Sequence, residues 1–381
     1  MDNIYQEIAQ RYLPANKIIV DYVSANLSEL DREKFLPAFY KTKDLPKRFL
    51  DFLIRQSQYV SNIICEFGLN PNSVTKVGDF HRGNKCTLEI ESDQKIFYKP
   101  ISFSNTELVF WVLDLFNKFG FSFPSMELIK RTEQGYFVKE IKKDKPENID
   151  QSLYYKHVGA IIVLTSVFRL YDMHRDNFII SRSVPVPIDC ECFWLPAWEG
   201  LPPYNLAGTL LFETPANDKP LIVKGEMGVE KRMLDLKQGM LTAWDVLVEQ
   251  KDNILERIRN SFSLISSRMI LKPTKYYTKL LSMTFHPDIF SDDGALAGYV
   301  RDSLTGKHKI SHFILEDEIR DILAYDVPYF TYLHDNLVNA QGSRILQDVI
   351  KPFDILENVE QTFSRNLFIK SLLHEVERLI H

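Results

Sequence analysis

An apolar run of helical length, Val158 to Leu170, ends directly at a polar cluster in which Asp172, His174 and Asn177 stand close together. A β-rich run, Phe178 to Ile180, comes next, then a Pro-containing turn and a second apolar run, Val186-Pro187-Ile188, that ends at Asp189. This order demands a buried helix that delivers a polar loop beside a small hairpin. It also narrows the chemistry. Phosphoryl transfer from ATP uses a loop aspartate to position the attacking hydroxyl, with an asparagine and a later aspartate holding Mg²⁺ against the phosphates. Magnesium prefers hard oxygen donors, so Asn177 and Asp189 suit it, whereas Cys190 and Cys192 do not. Any one of these residues alone reads as a helix cap or a loop. The ordered set carries the reading, provided a lysine stands upstream.

Lys99 is that lysine. It closes the strand-like segment Lys95-Ile96-Phe97-Tyr98-Lys99-Pro100 and precedes the apolar helix pattern of Leu108 to Phe119. Strand, phosphate-gripping lysine and helix follow one another in this way in the small lobe of a kinase. Glu107 or Asp114 on the helix is the expected partner of Lys99, and the sequence does not select between them. Tyr136 to Ile141 reads as a strand that could form an adenine-binding hinge. Lys142 to Asp150, charged and containing Pro146, reads as the connector to a second lobe.

Upstream, Gly78-Asp79-Phe80-His81-Arg82-Gly83-Asn84 lies between two β-leaning runs, Val74 to Val77 and Cys86 to Ile90, and predicts a hairpin. It is neither a Walker A loop nor a G-x-G-x-x-G loop. Taken alone, a Gly-Asp turn is ordinary turn chemistry. Asp79 and His81, at alternate positions, can nevertheless project together into a cleft as an acid–base pair.

Helical periodicity covers residues 1 to about 70, with Ile19, Val23, Leu27 and Leu30 on one face and Phe49, Phe52, Leu53 and Val60 on another. After Trp194 the prolines 196, 202, 203, 215 and 220 predict an irregular segment that wraps a surface or forms a substrate-side loop. Helical patterns resume near Gly228 or Glu230 and run almost to the end, interrupted around Pro273, 287–294 and Pro328.

The formal net charge of −5 argues against a nucleic-acid binder driven by phosphate neutralisation. No apolar run reaches membrane-spanning length, and Met1-Asp2-Asn3-Ile4 does not start a signal peptide, so a cytoplasmic protein is expected. Four scattered cysteines do not make a disulfide framework. Cys190-Glu191-Cys192 is too tightly spaced for a zinc pair and has no second pair. If Ile188 to Phe193 is a strand, both thiols face one side as buried structural groups, with Asp189 and Glu191 on the other.

Together, Gly78 to Gly83, Phe97 to Pro100, Asp172 to Asn177 and Ile188 to Glu191 resemble the dehydratase domain of class II lanthipeptide synthetases. The likeness continues in Arg268-Met269-Ile270-Leu271-Lys272-Pro273-Thr274-Lys275-Tyr276-Tyr277, in Leu280-Leu281, in His286-Pro287, and in Glu316 to Phe330 with Asp326-Val327-Pro328-Tyr329-Phe330. It covers about residues 71 to 381. Each motif is short; their shared order is specific.

The resemblance implies an α+β, two-lobed, lipid/protein-kinase-like fold. Residues 71–145 would form a mainly β small lobe, 146–381 a large lobe with a helical C-terminal part, and 1–70 a helical N-terminal extension. It implies an enzyme that uses ATP and Mg²⁺ to phosphorylate Ser or Thr of a ribosomal precursor peptide, then eliminates the phosphate to leave dehydroalanine or dehydrobutyrine. Lys99, Asp172, His174, Asn177, Asp189 and Glu191 would serve phosphorylation, with Lys99 on the ATP phosphates and Asn177, Asp189 and Glu191 as the metal set. Asp79, His81, Arg268 and Thr274 would serve elimination, where a guanidinium can grip the leaving phosphate bidentately.

Three departures stand out. Ile101 replaces the arginine that follows Tyr-Lys-Pro in the family. The region before Gly78 is shorter. No zinc-binding Cys/Cys/His set follows residue 300, so a stand-alone dehydratase with a separate cyclase or other tailoring enzyme as partner is expected. Two other readings remain open. A kinase without elimination would leave a stable phosphorylated peptide, protein or small molecule; a non-catalytic binding module would bind nucleotide without turnover.

Overall fold

In the computed structural model, residues 2–13, 16–29, 32–42, 44–68, 70–194, 205–213, 220–222, 229–261, 266–305, 312–333, 336–347, 355–364 and 367–380 are described. The N-terminal periodicity produces α1 (Asp2–Tyr12), α2 (Lys17–Glu29), α3 (Arg32–Thr42) and α4 (Lys47–Phe67). Spacings of three and four put Phe49, Phe52, Leu53, Val60 and Ile63 of α4 on one buried stripe. The helix stops at Gly68, whose φ of +67° is the left-handed cap conformation, and its N–H returns to the Ile64 and Cys65 carbonyls. On α2, Ile19, Val23 and Leu27 are buried as expected, while Leu30 lies outside the described residues.

Next come β1 (Ser73–His81), β2 (Lys85–Glu91), β3 (Lys95–Lys99), α5 (Ser104–Asn117), β4 (Leu128–Arg131) and β5 (Tyr136–Lys139). The strands form one antiparallel sheet in the order β1-β2-β3-β5-β4. Strand alternation divides its residues between two environments. Cys86, Leu88, Ile90, Ile96 and Tyr98 join the α1–α4 side chains in one core, which also takes Phe285, Phe290 and Tyr325 from the C-terminal half. Lys85, Thr87, Phe97 and Lys99 face the other way, onto a cavity.

The apolar run becomes α6 (Gln151–Phe168), started by Asp150, whose carboxylate accepts from the Ser152 and Leu153 N–H groups. Every residue from Val158 to Phe168 is buried. Beyond it lie the hairpin of β6 (Phe178–Ser181) and β7 (Val184–Pro187), then α7 (Met233–Glu249) and α8 (Lys251–Ser261). Arg182 and Ser183, with φ of +52° and +62°, make the two-residue turn of that hairpin. Where α6 crosses α7 the backbones touch: a Cβ on Gly159 would strike the Leu236 carbonyl, and one on Gly239 the Lys156 carbonyl.

The remaining elements are β8 (Ser267–Met269), α9 (Thr274–Met283), α10 (Asp293–Leu304), α11 (His312–Leu323), β9 (Phe330–Leu333), β10 (Asn336–Val338), β11 (Arg344–Gln347), α12 (Ile355–Ser364) and α13 (Phe368–Ile380). Helices were expected here, but the structure adds a four-stranded antiparallel sheet, β11-β10-β9-β8. Strands of three or four residues are too short to show a period of two. A buried Lys272–Glu318 ion pair, with Tyr277 donating to the same carboxylate, ties α9 to α11.

The α+β class expected from the sequence is observed. Prolines 196, 202, 203 and 215, and Gly228, lie outside the described residues; Pro220 is buried. Among the described residues no helix is long and apolar enough to cross a membrane.

Candidate active site

A cavity of about 490 Å³ lies between the five-stranded sheet and the loop after α6. The sheet contributes Asp79, His81 and Lys99. The loop contributes Asp172, His174 and Asn177. The segment after β7 contributes Asp189 and Glu191, and β8 with the start of α9 contributes Arg268 and Thr274. All ten residues singled out from the sequence line this one cavity.

Lys99 Nζ donates to the Ile188 carbonyl. Burial works against its charge, but Tyr136, Asp189, Cys190 and Glu191 outweigh burial and hold the pKa above the ordinary lysine value. Neither expected helix partner reaches it. Glu107 pairs with Arg131 at 2.7 Å and Arg257 at 3.5 Å, and Asp114 is exposed. Seven positions apart, the two acids share one face of α5, and the opposite face, with Leu108, Val112 and Leu115, is the buried one.

The loop after α6 holds itself closed. Asp172 takes a left-handed φ of +59°, and Asn177 Nδ2 donates to its carbonyl at 2.6 Å. His174 Nδ1 accepts from the Asp176 N–H at 3.3 Å, and its Nε2 lies 3.6 Å from Asp172 Oδ1 and 3.4 Å from Asn177 Nδ2. Burial raises the Asp172 pKa despite the pull of His174 and Arg268.

The Ile188 N–H donates to the Asn177 carbonyl at 2.9 Å and so sets Asp189 beside the loop. Burial, then the neighbouring Glu191, pushes Asp189 up to about 6, with Lys99 opposing. Asn177 Oδ1 and the Asp189 carboxylate are hard oxygens that fit a Mg²⁺ ion. No cluster of three His, Cys, Asp or Glu ligands occurs among the described residues. Magnesium needs none, since it takes one or two carboxylates and fills its other positions with water and phosphate oxygens.

Glu191 is engaged at both oxygens. Arg268 Nη1 donates to Oε1 at 2.5 Å and the Tyr329 hydroxyl to Oε2 at 2.8 Å. Burial alone would raise the Glu191 pKa, but Arg268 foremost, with the Tyr329 hydroxyl donating to it, brings it below the ordinary carboxylate value. The second guanidinium nitrogen of Arg268 reaches His81 Nε2 at 3.3 Å. His81 Nδ1 lies 3.1 Å from the Val327 carbonyl, which can only accept, so Nδ1 carries the proton and Nε2 the lone pair. Burial, then Arg268, pushes His81 down to about 3, which keeps it neutral. Burial raises Asp79, against Lys76 and Arg268. Thr274 opens α9, where backbone N–H groups lack intrahelical partners.

Cys190 and Cys192 are buried as expected, and burial pushes the Cys190 thiol up to about 12. The conditional strand over Ile188 to Phe193 does not form. β7 ends at Pro187, and the backbone there turns to β8, where the Arg268 N–H donates to the Glu191 carbonyl at 2.8 Å.

Tyr329 and Arg82 were not singled out. The Tyr329 ring has the Arg268 guanidinium 5.0 Å from its centre and that of Arg82 at 5.4 Å. Only the family-like stretch Asp326 to Phe330 pointed to this region, and no spacing rule links Tyr329 to Glu191.

Residues 49–202 and 212–332 match the family model DUF4135, described as a domain of unknown function. The chain belongs to this family. The DUF4135 match includes all ten residues singled out from the sequence, and Tyr329. The chain is also 23% identical over 380 residues to the lacticin 481/lactococcin biosynthesis protein LcnDR2 of Lactococcus lactis subsp. lactis. That similarity takes in 80% of this chain and 40% of the relative, so the chain spans less than half the relative's length.

Proposed function

We propose that this chain dehydrates Ser and Thr in a ribosomal precursor peptide, by phosphorylation from ATP followed by elimination of phosphate at the same site. One observation carries the reading. Arg268, implicated in elimination, is ion-paired with Glu191, implicated in phosphorylation, inside a cavity that also holds Lys99 and Asp172. The similarity to a lacticin 481/lactococcin biosynthesis protein supports a role in lanthipeptide maturation. On this reading 71–145 and 146–381 are the small and large lobes of a kinase-like fold, and 1–70 is its helical extension.

In the first step Lys99 grips the ATP phosphates. Asn177 and Asp189 would hold Mg²⁺, which would neutralise phosphate charge there. Asp172 accepts the proton of the peptide hydroxyl as its oxygen bonds to the γ-phosphorus and the bond to ADP breaks. His174 orients Asp172. In the second step a proton leaves Cα, its bonding pair becomes the Cα=Cβ bond, and the Cβ–O bond breaks to release phosphate. Arg268 offers a planar fork to that phosphate, and Thr274 with the start of α9 adds donors. The His81 lone pair and the Asp79 carboxylate are the groups available to handle the proton.

Intact-mass spectrometry of a precursor peptide encoded beside the gene, incubated with protein, ATP and Mg²⁺, tests the reading. Losses of water are expected, abolished in Lys99→Ala and converted to phosphate gains in Arg268→Ala. Phosphate gains from the wild-type protein would instead make it a kinase without elimination. Nucleotide binding without turnover would make it a binding module.

A further inference from the structure

The tip of the β1–β2 hairpin carries His81, which pairs with Lys85 beyond a break in the ladder. The β1–β2 register shifts between Val77 and His81, and Arg82, Gly83 and Asn84 all have positive φ, at +53°, +82° and +65°. Two of these are not glycine, so the turn holds a conformation that costs energy unless other contacts over-determine it.

Those contacts come from the segment between α11 and β9. The Gly83 N–H donates to Asp326 Oδ2 at 2.6 Å, and the Val327 N–H to the Phe80 carbonyl at 2.9 Å. His81 Nδ1 donates to the Val327 carbonyl at 3.1 Å. Asn84 Nδ2 reaches the Ala324 and Tyr325 carbonyls at 3.1 and 3.2 Å. From α4, Arg55 donates to Asn84 Oδ1 at 2.7 Å and to the Ala324 carbonyl at 3.2 Å, bracing the same turn from outside. Asp326 is 1% exposed, and its carboxyl accepts from the Gly83 backbone.

We propose that Asp326 is a positioning residue: its buried carboxyl locks the Arg82–Asn84 turn so that His81 Nε2 meets Arg268, and thereby serves phosphate elimination but not phosphoryl transfer. This rests on the proposed reading of His81 and Arg268. Burial pushes Asp326 up to about 8, so near neutral pH the carboxyl accepts the Gly83 N–H without placing a full charge in the core. A displacement of about 1 Å at a reacting group costs on the order of a hundredfold in rate. The lock therefore acts on rate at His81 and Arg268, while phosphoryl transfer depends on Lys99, Asp172, Asn177 and Asp189, carried by β3, the loop after α6 and the segment after β7; the turn also touches the Lys99 side, where Arg82 Nη1 donates to the Pro100 carbonyl at 3.1 Å.

The test separates the two half-reactions, using a phosphoserine form of the precursor peptide for elimination and ADP formation on the unphosphorylated peptide for transfer. Asp326→Leu removes the acceptor at similar size; Asp326→Asn keeps it. For Asp326→Leu the kcat of elimination is expected to fall roughly tenfold or more, with KM for the phosphopeptide and ADP formation little changed. Asp326→Asn should restore elimination, and amide exchange at Gly83 should quicken only in Asp326→Leu. If Asp326→Leu does not fold, Arg55→Met, which loosens the turn from α4, must show the same split. Unchanged elimination, or a parallel fall of both half-reactions, overturns the positioning role. A wild-type protein that performs neither half-reaction overturns the proposed function itself, which the exchange measurement would not register.

Discussion

Arg268 and Glu191 form a buried ion pair across 77 positions of sequence, with side chains 10% and 14% exposed. Its geometry explains why Glu191 stays ionised in a site where burial alone would favour the acid. Breaking such a pair strands a charge, at a cost of about 3–5 kcal/mol. Arg268→Met is expected to destabilise the protein by that amount in urea unfolding. Arg268→Met combined with Glu191→Gln should cost less than Arg268→Met alone. Equal losses would mean that the pair is solvated and contributes little.

Stability should depend on pH through two buried groups of opposite sign. Asp326 titrates at about 8 in the fold against 3.8 unfolded. Its contribution is whole below pH 3.8 and declines as pH rises towards 8, because the unfolded chain releases a proton the fold retains. His81 titrates at about 3 against 6.5, so between those values the unfolded chain binds a proton the fold refuses, and stability rises with pH. Asp326→Asn should remove the downward limb, making the variant more stable relative to wild type at pH 8 than at pH 4. Urea midpoints at the two pH values measure this, and an unchanged difference would contradict it.

Gly239→Ala should separate α6 from α7, since the added Cβ meets the Lys156 carbonyl. Overpacking of this kind typically costs about 1–3 kcal/mol. Gly298 on α10 has nothing within 4 Å of a built Cβ, so Gly298→Ala should stabilise instead, by about 0.4–1 kcal/mol. Thermal unfolding of the two variants compares them directly. A Tm for Gly239→Ala at or above wild type would show that the helices can shift apart without penalty.

Legibility differed from residue to residue. Lys99 could be found because it closes the strand-like run Lys95–Lys99 just before an apolar helix pattern. Asp172, Asn177 and Asp189 could be found because a buried helix, a loop and a hairpin hold them within one short stretch. Arg268 and Thr274 lie on elements with no distinctive local pattern, and only the family likeness marked them. Tyr329 carried no mark of its own, because its hydroxyl bonds a residue 138 positions earlier.

The sequence by itself determined the local elements: the buried run of α6 with its Asp150 cap, the stripe on α4, the alternation in β2 and β3, and the buried cysteines. These follow from side-chain periodicity and backbone capping within a few residues. Tertiary structure alone decided the rest. It turned Glu107 away from Lys99, built a sheet from strands too short to announce themselves, and brought His81, Glu191, Arg268 and Tyr329 into one hydrogen-bonded group. Those contacts depend on how the sheet, the α6 loop and the β8–β9 pair pack together, and packing between distant segments leaves no local period in the chain.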